Sequence, residues 1–246
     1  MPGRVTENAF LGGKIRIRQP KSGWRAGMDA VFLAAAAPAQ ASQTVLDVGT
    51  GVGTAALCLL ARVPGVRVTG LELQPDLADL ARENAVLNGM EAFFRVETGD
   101  IADPPPSIAG LIFDHVITNP PFGEKGTEVH SPLKQKALAN QESAISLEDW
   151  VRFCRRCLKP NGLLTMIHRA DRLDAILGSL GKGFGGIAVF PLRSRQGDEA
   201  GRILVQARKG GRSPARLPAG LVLHQPDGRP TPETEAILRH GQPLRL

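Results

Sequence analysis

The sequence predicts an α/β fold: a doubly wound, mostly parallel sheet of seven strands with an antiparallel closing strand. Three observations carry that expectation. Apolar, β-branched runs alternate with helical stretches from residue 44 to residue 180, the pattern of crossover units around a parallel sheet. A glycine-rich turn, Gly49-Thr50-Gly51-Val52-Gly53, lies between the first such strand and its helix. A third apolar run, Val116-Ile117-Thr118, stops at Asn119-Pro120-Pro121, where proline can no longer donate to a ladder. In an open α/β sheet this carboxyl edge is where ligands bind.

The 246 residues suffice for one large core, or one domain with an appendage. Hydrophobic content of 42% and charged content of 22% are ordinary for a soluble globular chain. No apolar run approaches the length that crosses a bilayer; the longest, residues 30–37, is far too short. Residues 1–8 lack the apolar core of a secretory signal. Three cysteines, an odd number, argue against a disulfide framework and for the cytoplasm. No membrane partner is expected.

Taken in order, Lys14-Ile15-Arg16-Ile17-Arg18 alternates as a short strand or hairpin arm with one basic face. Gly23-Trp24-Arg25-Ala26-Gly27-Met28-Asp29 follows, then an Ala/Leu/Phe helix over residues 30–37 with Asp29 as its expected N-cap. Thr44-Val45-Leu46-Asp47-Val48 reads as a buried strand ending in an acid. The glycine turn after it opens an apolar helix, so bare backbone can approach a ligand at that helix N-terminus. The next strand, residues 66–73, ends in Glu72, whose carboxylate can accept from both hydroxyls of a ribose. Pro75 starts the following helix in its first turn, and Asn88-Gly89 ends it. A third strand over residues 93–98 leads to Gly99-Asp100-Ile101, and a prolyl loop, Pro104-Pro105-Pro106, connects to the fourth.

That fourth strand carries the most specific chemistry. The Asn119 side chain supplies a carbonyl acceptor, and Pro120 has only a backbone carbonyl to offer. Two acceptors in one small volume suit an NH2 group, and Phe122 adds a flat face for the ring bearing it. The competing reading is plain loop punctuation. Residues 123–140, with Lys125, His130, Lys134 and Lys136, read as a loop over the site. His130 is either a general base or an ordinary exposed loop histidine. Ser146 caps a helix that runs to Cys157, with Trp150, Val151, Phe153 and Cys154 on its apolar stripe. Cys154 and Cys157 have CxxC spacing without a second ligand pair, so they read as buried helix cysteines, and no metal is expected. Pro160-Asn161-Gly162 breaks the helix before a fifth strand at residues 163–167 and a helix at 170–180. Residues 187–190 and 203–207 form a closing antiparallel pair, and the stretches at 221–224 and 232–238 pack back onto the core.

Charge is unevenly divided: residues 1–43 sum to +4, residues 44–150 to −8 and residues 151–246 to +10. An acidic middle between basic ends implies a polyanion gripped from outside the central site. The acid before the glycine turn argues against a dinucleotide, which usually has an apolar residue there. Asp47 instead suits a ligand with an ammonium group. S-adenosyl-L-methionine carries an ammonium, a carboxylate, a ribose and an adenine, and Asp47, the glycine turn, Glu72 and Asp100 offer chemistry for these.

Together these residues resemble the class I S-adenosylmethionine-dependent methyltransferases with an Asn-Pro-Pro-(Tyr/Phe) motif, Rossmann-like in fold. Within them the chain is most similar to the bacterial tRNA (adenine-N6) methyltransferases of the valine-tRNA-modifying type. Further residues carry the likeness: Gly12-Gly13-Lys14, Gln19-Pro20, the Gly23 to Asp29 segment, Leu71-Glu72-Leu73, Lys136-Ala137, Leu158-Lys159-Pro160-Asn161-Gly162 and Leu221-Val222-Leu223-His224. The resemblance implies methyl transfer to an adenine N6 in the anticodon region of tRNA, with Asn119, Pro120, Pro121 and Phe122 at the reacting base. It implies Asp47, Gly49, Thr50 and Gly51 at the methionine end of the cofactor. Glu72 and Leu73 would then meet the ribose, Asp100 and Ile101 the adenine, and Arg25 and Gly27 the cofactor carboxylate. Phe122 stands where the group often has Tyr, and Asn161 interrupts a usual Pro-Gly pair. The division expected is an N-terminal arm and cap helix (1–43), a methyltransferase domain (44–210) and a packed extension (211–246). N5-methylation of a protein glutamine is the alternative activity, since an amide NH2 fits the same two acceptors. A catalytically idle RNA-binding module is the alternative of another class.

Overall fold

The computed structural model describes residues 5–23, 25–121 and 145–246. Strands β1 (Val5–Phe10) and β2 (Ile15–Pro20) form an antiparallel hairpin of their own. Its alternation is the expected one: Ile15 and Ile17 are buried while Arg16 and Arg18 face solvent. Glu7, across the hairpin, pairs with both arginines at 3.3 and 3.4 Å, so the basic face is partly offset. The hairpin docks through its backbone. Asn84 of helix α3 (Pro75–Leu87) accepts from Arg18 N at 2.8 Å and donates to Arg18 O and Val52 O at 2.9 Å. Asn88 repeats the pairing with Arg16. Two asparagines thus stand in for a neighbouring strand and leave few backbone groups there unpaired.

Helix α1 (Met28–Ala36) begins two residues earlier than its apolar run. Its N-cap is Gly27, not Asp29 as expected from the sequence. Asp29 lies inside the first turn, where an acid complements the helix dipole, and its carboxylate is engaged by Arg202 at 2.9 Å.

The main sheet has eight strands in the order β10-β8-β9-β7-β6-β3-β4-β5. They are β3 (Thr44–Val48), β4 (Arg67–Glu72), β5 (Phe94–Thr98), β6 (Phe113–Thr118), β7 (Leu158–Arg169), β8 (Phe184–Arg193), β9 (Ala200–Lys209) and β10 (Leu221–Val222). Only β9 runs antiparallel to its neighbours. The count exceeds the expected seven by β10, two residues paired parallel to β8. A strand that short shows no periodicity of its own. β7 is longer than expected at both ends. Phe113 faces Leu158 but His115 faces Leu163, so Lys159-Pro160-Asn161-Gly162 loops out of the strand. The helix has already ended at Cys157.

Helices cover both faces. α1, α2 (Thr54–Arg62), α3 and the hairpin bury one apolar cluster, and α4 (Leu147–Cys157) with α5 (Leu173–Leu180) buries the other. Ser146 caps α4 as expected, accepting from Asp149 N at 3.1 Å. Cys154 and Cys157 are buried in that second cluster, with burial pushing both thiols up. The last helix, α6 (Pro232–His240), returns to the start of the chain: Leu244 N donates to Ala35 O, and Lys14 Nζ to His240 O. A Cβ at Gly12 would sit 2.8 Å from Arg239 O, so the N-terminal turn and α6 touch backbone to backbone. Among the described residues no helix is long and apolar enough to cross a membrane.

Candidate active site

The parallel strands β3, β4 and β6 deliver their last residues to one edge. On β3, Asp47 is only 2% exposed, and Thr50 Oγ1 donates to its Oδ2 at 2.7 Å. On β4, Glu72 is 5% exposed and accepts from Gly51 N at 2.8 Å and Gln74 N at 2.9 Å. Leu71 O takes Gly49 N and Thr50 N at 2.9 and 3.1 Å. The glycine turn is therefore tied to the neighbouring strand by both backbone and side chain. Its shape demands glycine where φ is positive and a neighbour is close. Gly53 has φ +84, and a Cβ there would lie 2.7 Å from the Phe94 ring.

Two carboxylates this deep cannot both be comfortable as anions. Burial pushes the Asp47 carboxyl up to about 7, and the Glu72 charge adds to the rise against the pull of the Thr50 hydroxyl. A cation placed beside Asp47 reverses that effect. The arrangement can therefore offer a carboxylate to a positive charge, with the Glu72 carboxylate next to it.

At the end of β6, Thr118 Oγ1 donates to Val48 O at 2.8 Å and accepts from Trp150 Nε1 at 2.9 Å. The same indole lies on the glycine turn: a Cβ at Gly49 would be 3.2 Å from two of its ring carbons. Trp150, read from sequence as one member of an apolar helix stripe, therefore joins the glycine turn to the residue before Asn119. Helical periodicity reports that a side chain faces inward, not which loop it meets, so nothing in the sequence singled it out. Asn119 Oδ1 is buried and has no hydrogen-bond partner among the described residues. Pro120 is buried beside it and Pro121 is exposed. Phe122, His130 and the 123–140 loop, with Lys125, Lys134, Lys136 and Ala137, lie outside the described residues, as does Trp24.

The remaining candidates divide. Gly99 N donates to Glu72 O at 2.9 Å, which holds Asp100 and the buried Ile101 next to the β4 end. Asp100 Oδ1 closes its own turn on Ala102 N at 2.9 Å. Leu73 is 38% exposed at the mouth. Gly27 serves as the α1 N-cap with open space where a Cβ would go. Arg25 is drawn into the hairpin: its guanidinium donates to Thr6 Oγ1 and Asn8 Oδ1 at 2.9 Å and to Pro20 O at 2.7 Å. Gln19, fully buried, completes that knot through Asn8 and Ala26 N. Asp47, Gly49, Thr50, Gly51 and Glu72 are thus one bonded unit, joined through Trp150 to the β6 end, while the contacts of Arg25 are with β1 and β2.

The chain is similar to known methyltransferases. A tRNA1(Val) (adenine(37)-N6)-methyltransferase from Porphyromonas gingivalis is 36% identical over 165 residues, 64% of this chain and 63% of that protein. The chain thus spans less than two thirds of that relative. One of the same name from Aeromonas hydrophila is 28% identical over 224 residues, covering 90% of this chain and 91% of its own. Among solved structures, a predicted O-methyltransferase from Agrobacterium tumefaciens superposes with a TM-score of 0.73 at 28% identity, over 89% of this chain and 99% of that one. The model of the family described as Methyltransferase small domain matches residues 26–189, and the chain belongs to that family.

Proposed function

We propose that this protein transfers a methyl group from S-adenosyl-L-methionine to the exocyclic N6 of an adenine in the anticodon region of tRNA. The observation that carries the reading is the buried Asn119 Oδ1 just after β6, which has no hydrogen-bond partner among the described residues. A buried acceptor without a donor costs free energy, and an incoming N–H repays it. The relatives named as tRNA adenine-N6 methyltransferases support the choice of base and of RNA.

The residues present fit the cofactor. Asp47 would meet its ammonium, the turn at Gly49, Thr50 and Gly51 its methionine end, and Glu72 with Leu73 its ribose. Asp100 and Ile101 would flank its adenine. Arg25, held by the hairpin, is a positioning residue for Gly27 and the start of α1. When bound, the cofactor supplies an electrophilic methyl group on a sulfonium.

The chain's own part is positioning and electrostatics. An adenine amine is planar because its lone pair is delocalised into the ring. The Asn119 oxygen and the Pro120 carbonyl, each accepting one of its hydrogens, favour a pyramidal nitrogen and stabilise the positive charge it develops. Pro121 fixes the backbone after them, and Phe122 offers the stacking face for the base, which must leave its own stack. A hydroxyl nucleophile has one hydrogen rather than two, so the paired acceptors match an amine better than oxygen; once methylated, the nitrogen releases one of its two hydrogens to water. The basic N- and C-terminal regions would hold tRNA phosphates, and a cytoplasmic setting follows from such a substrate.

The test is transfer of radiolabelled methyl from the cofactor to total tRNA, followed by nucleoside analysis. Label recovered as N6-methyladenosine is the expected result. Label on ribose, or on a glutamine of release factor and not on tRNA, would refute the reading.

A further inference from the structure

We infer that the sheet edge opposite Asn119 is a second contact surface for RNA phosphates, built from Arg155, Arg156, Lys182, Arg208, Lys209 and Arg212. The inference rests on the reading that the substrate is RNA, and adds where its body is held.

These residues come from three separate stretches of chain. Arg155 and Arg156 are in the last turn of α4. Lys182 precedes β8, and Arg208 and Lys209 end β9, where Lys209 faces Phe184 and Arg208 faces Gly185. Arg212 follows three residues after the strand's end. The fold draws them together closely. A Cβ on Gly183 would fall 2.6 Å from Arg155 Cδ, and Gly210 N donates to Gly183 O at 2.9 Å. Arg208 and Lys209 donate to the carbonyls of Asn161 and Leu158, which aims the cations without cancelling their charge. Arg156 lies over the Phe153 ring at 5.8 Å.

The ion pairs separate the two edges. Near the Asn119 edge, Arg169 is paired with Asp171, and Arg202 with Asp29. On the opposite edge Asp114 is already taken by Lys159 at 2.8 Å and by Thr44. None of the six cations enters an ion pair among the described residues. Five of them are exposed, and Lys209 is half-buried. Complementing helix dipoles accounts for Arg155, Arg156 and Lys182, which lie at the ends of α4 and α5. Lys209 also meets the end of α4, through the carbonyl of its C-cap residue Leu158, but the dipole account does not reach Arg208 and Arg212, which lie at and beyond the end of a strand.

Geometry makes the surface reachable by the same molecule that occupies the site. β6 is six residues long, so its two ends are about 20 Å apart. One turn of a nucleic-acid duplex is longer, at about 34 Å. A stem whose loop enters the site therefore has backbone to spare for the far edge, along the face covered by α4.

The experiment compares wild type with the triple variant R155Q/K182Q/R212Q, checked for an unchanged thermal transition. Binding of full-length tRNA and of an isolated anticodon stem-loop is measured across a salt series. The variant is expected to bind full-length tRNA about tenfold more weakly, with the log–log salt slope reduced by about 2 to 3. Its affinity for S-adenosylmethionine and its turnover at saturating tRNA should stay unchanged. The arginine-to-lysine double variant R155K/R212K should bind like wild type. Equal tRNA affinity and equal salt slope, in a wild type that methylates tRNA, would overturn the surface alone. A wild type that binds cofactor but methylates no RNA would remove the functional reading and this surface with it. Loss of binding to anionic phosphatidylserine vesicles with tRNA affinity intact would assign the edge to a lipid surface and also overturn it.

Discussion

The two halves of the site are prepared in opposite ways. At the β3–β4 end the polar groups already have partners: Thr50 on Asp47, Gly51 and Gln74 on Glu72, and two turn amides on Leu71 O. At the β6 end the Asn119 oxygen is buried and has no partner among the described residues. On the proposed function the first half, its polar groups already partnered, receives the cofactor, and the second offers its unpartnered oxygen to the substrate amine. That proposal assigns binding and chemistry to different residues, which should then fail separately.

The sharpest way to break that division is Asn119→Ala. Turnover should fall by about 10²–10³, the usual loss for a preorganised polar group at the reacting atom, while calorimetry shows S-adenosylmethionine affinity within about twofold of wild type. Parallel loss of both would mean that the two halves are one.

Next in size is the pH dependence of the receptor half. With its carboxyl pushed up to about 7, Asp47 is partly protonated at neutral pH without cofactor. An ammonium beside it favours the anion, so binding releases a proton. Cofactor affinity should therefore rise as pH increases from about 6 to 8. Asp47→Asn should bind more weakly and lose that slope in titrations at several pH values. The same raised value has a stability consequence. Between its unfolded value near 4 and about 7, the folded state binds the extra proton, so this group makes the cofactor-free protein more stable as pH falls through that window.

The smallest effect probes the link between the halves. Trp150→Phe keeps an apolar ring on α4, removes the bond to Thr118 Oγ1 and withdraws the far indole carbons that face Gly49. Stability should drop by about 1 kcal/mol in thermal unfolding, with turnover falling a few-fold and cofactor affinity nearly unchanged. A cofactor affinity that fell as far as turnover would place the indole in the receptor half instead.

Much of this was legible before folding. The alternation of β3, α2, β4 and α3, the Pro75 start, the Asn88-Gly89 stop and the Ser146 cap depend on neighbours a few residues apart, and each stands where the chain announces it. The carboxylates that end β3 and β4 were legible for the same reason, since strand ends and glycine turns are local features. The errors were of another kind. Asp29 is a strong capping residue by type, yet Arg202, far along the chain, engages its carboxylate. Arg16 and Arg18 look like an open basic face until the hairpin brings Glu7 across.

Sequence by itself determined the order of strands and helices, the glycine turn and the asparagine that ends β6, because each follows from backbone sterics and short-range hydrogen bonding. Only the tertiary structure decided that Trp150 bridges the glycine turn to Thr118, that Asn84 of α3 and its C-cap Asn88 take the place of a strand beside β2, and that the Asn119 oxygen has no partner among the described residues. Those facts depend on which distant groups share a volume, and no spacing along a chain encodes that before the sheet is assembled.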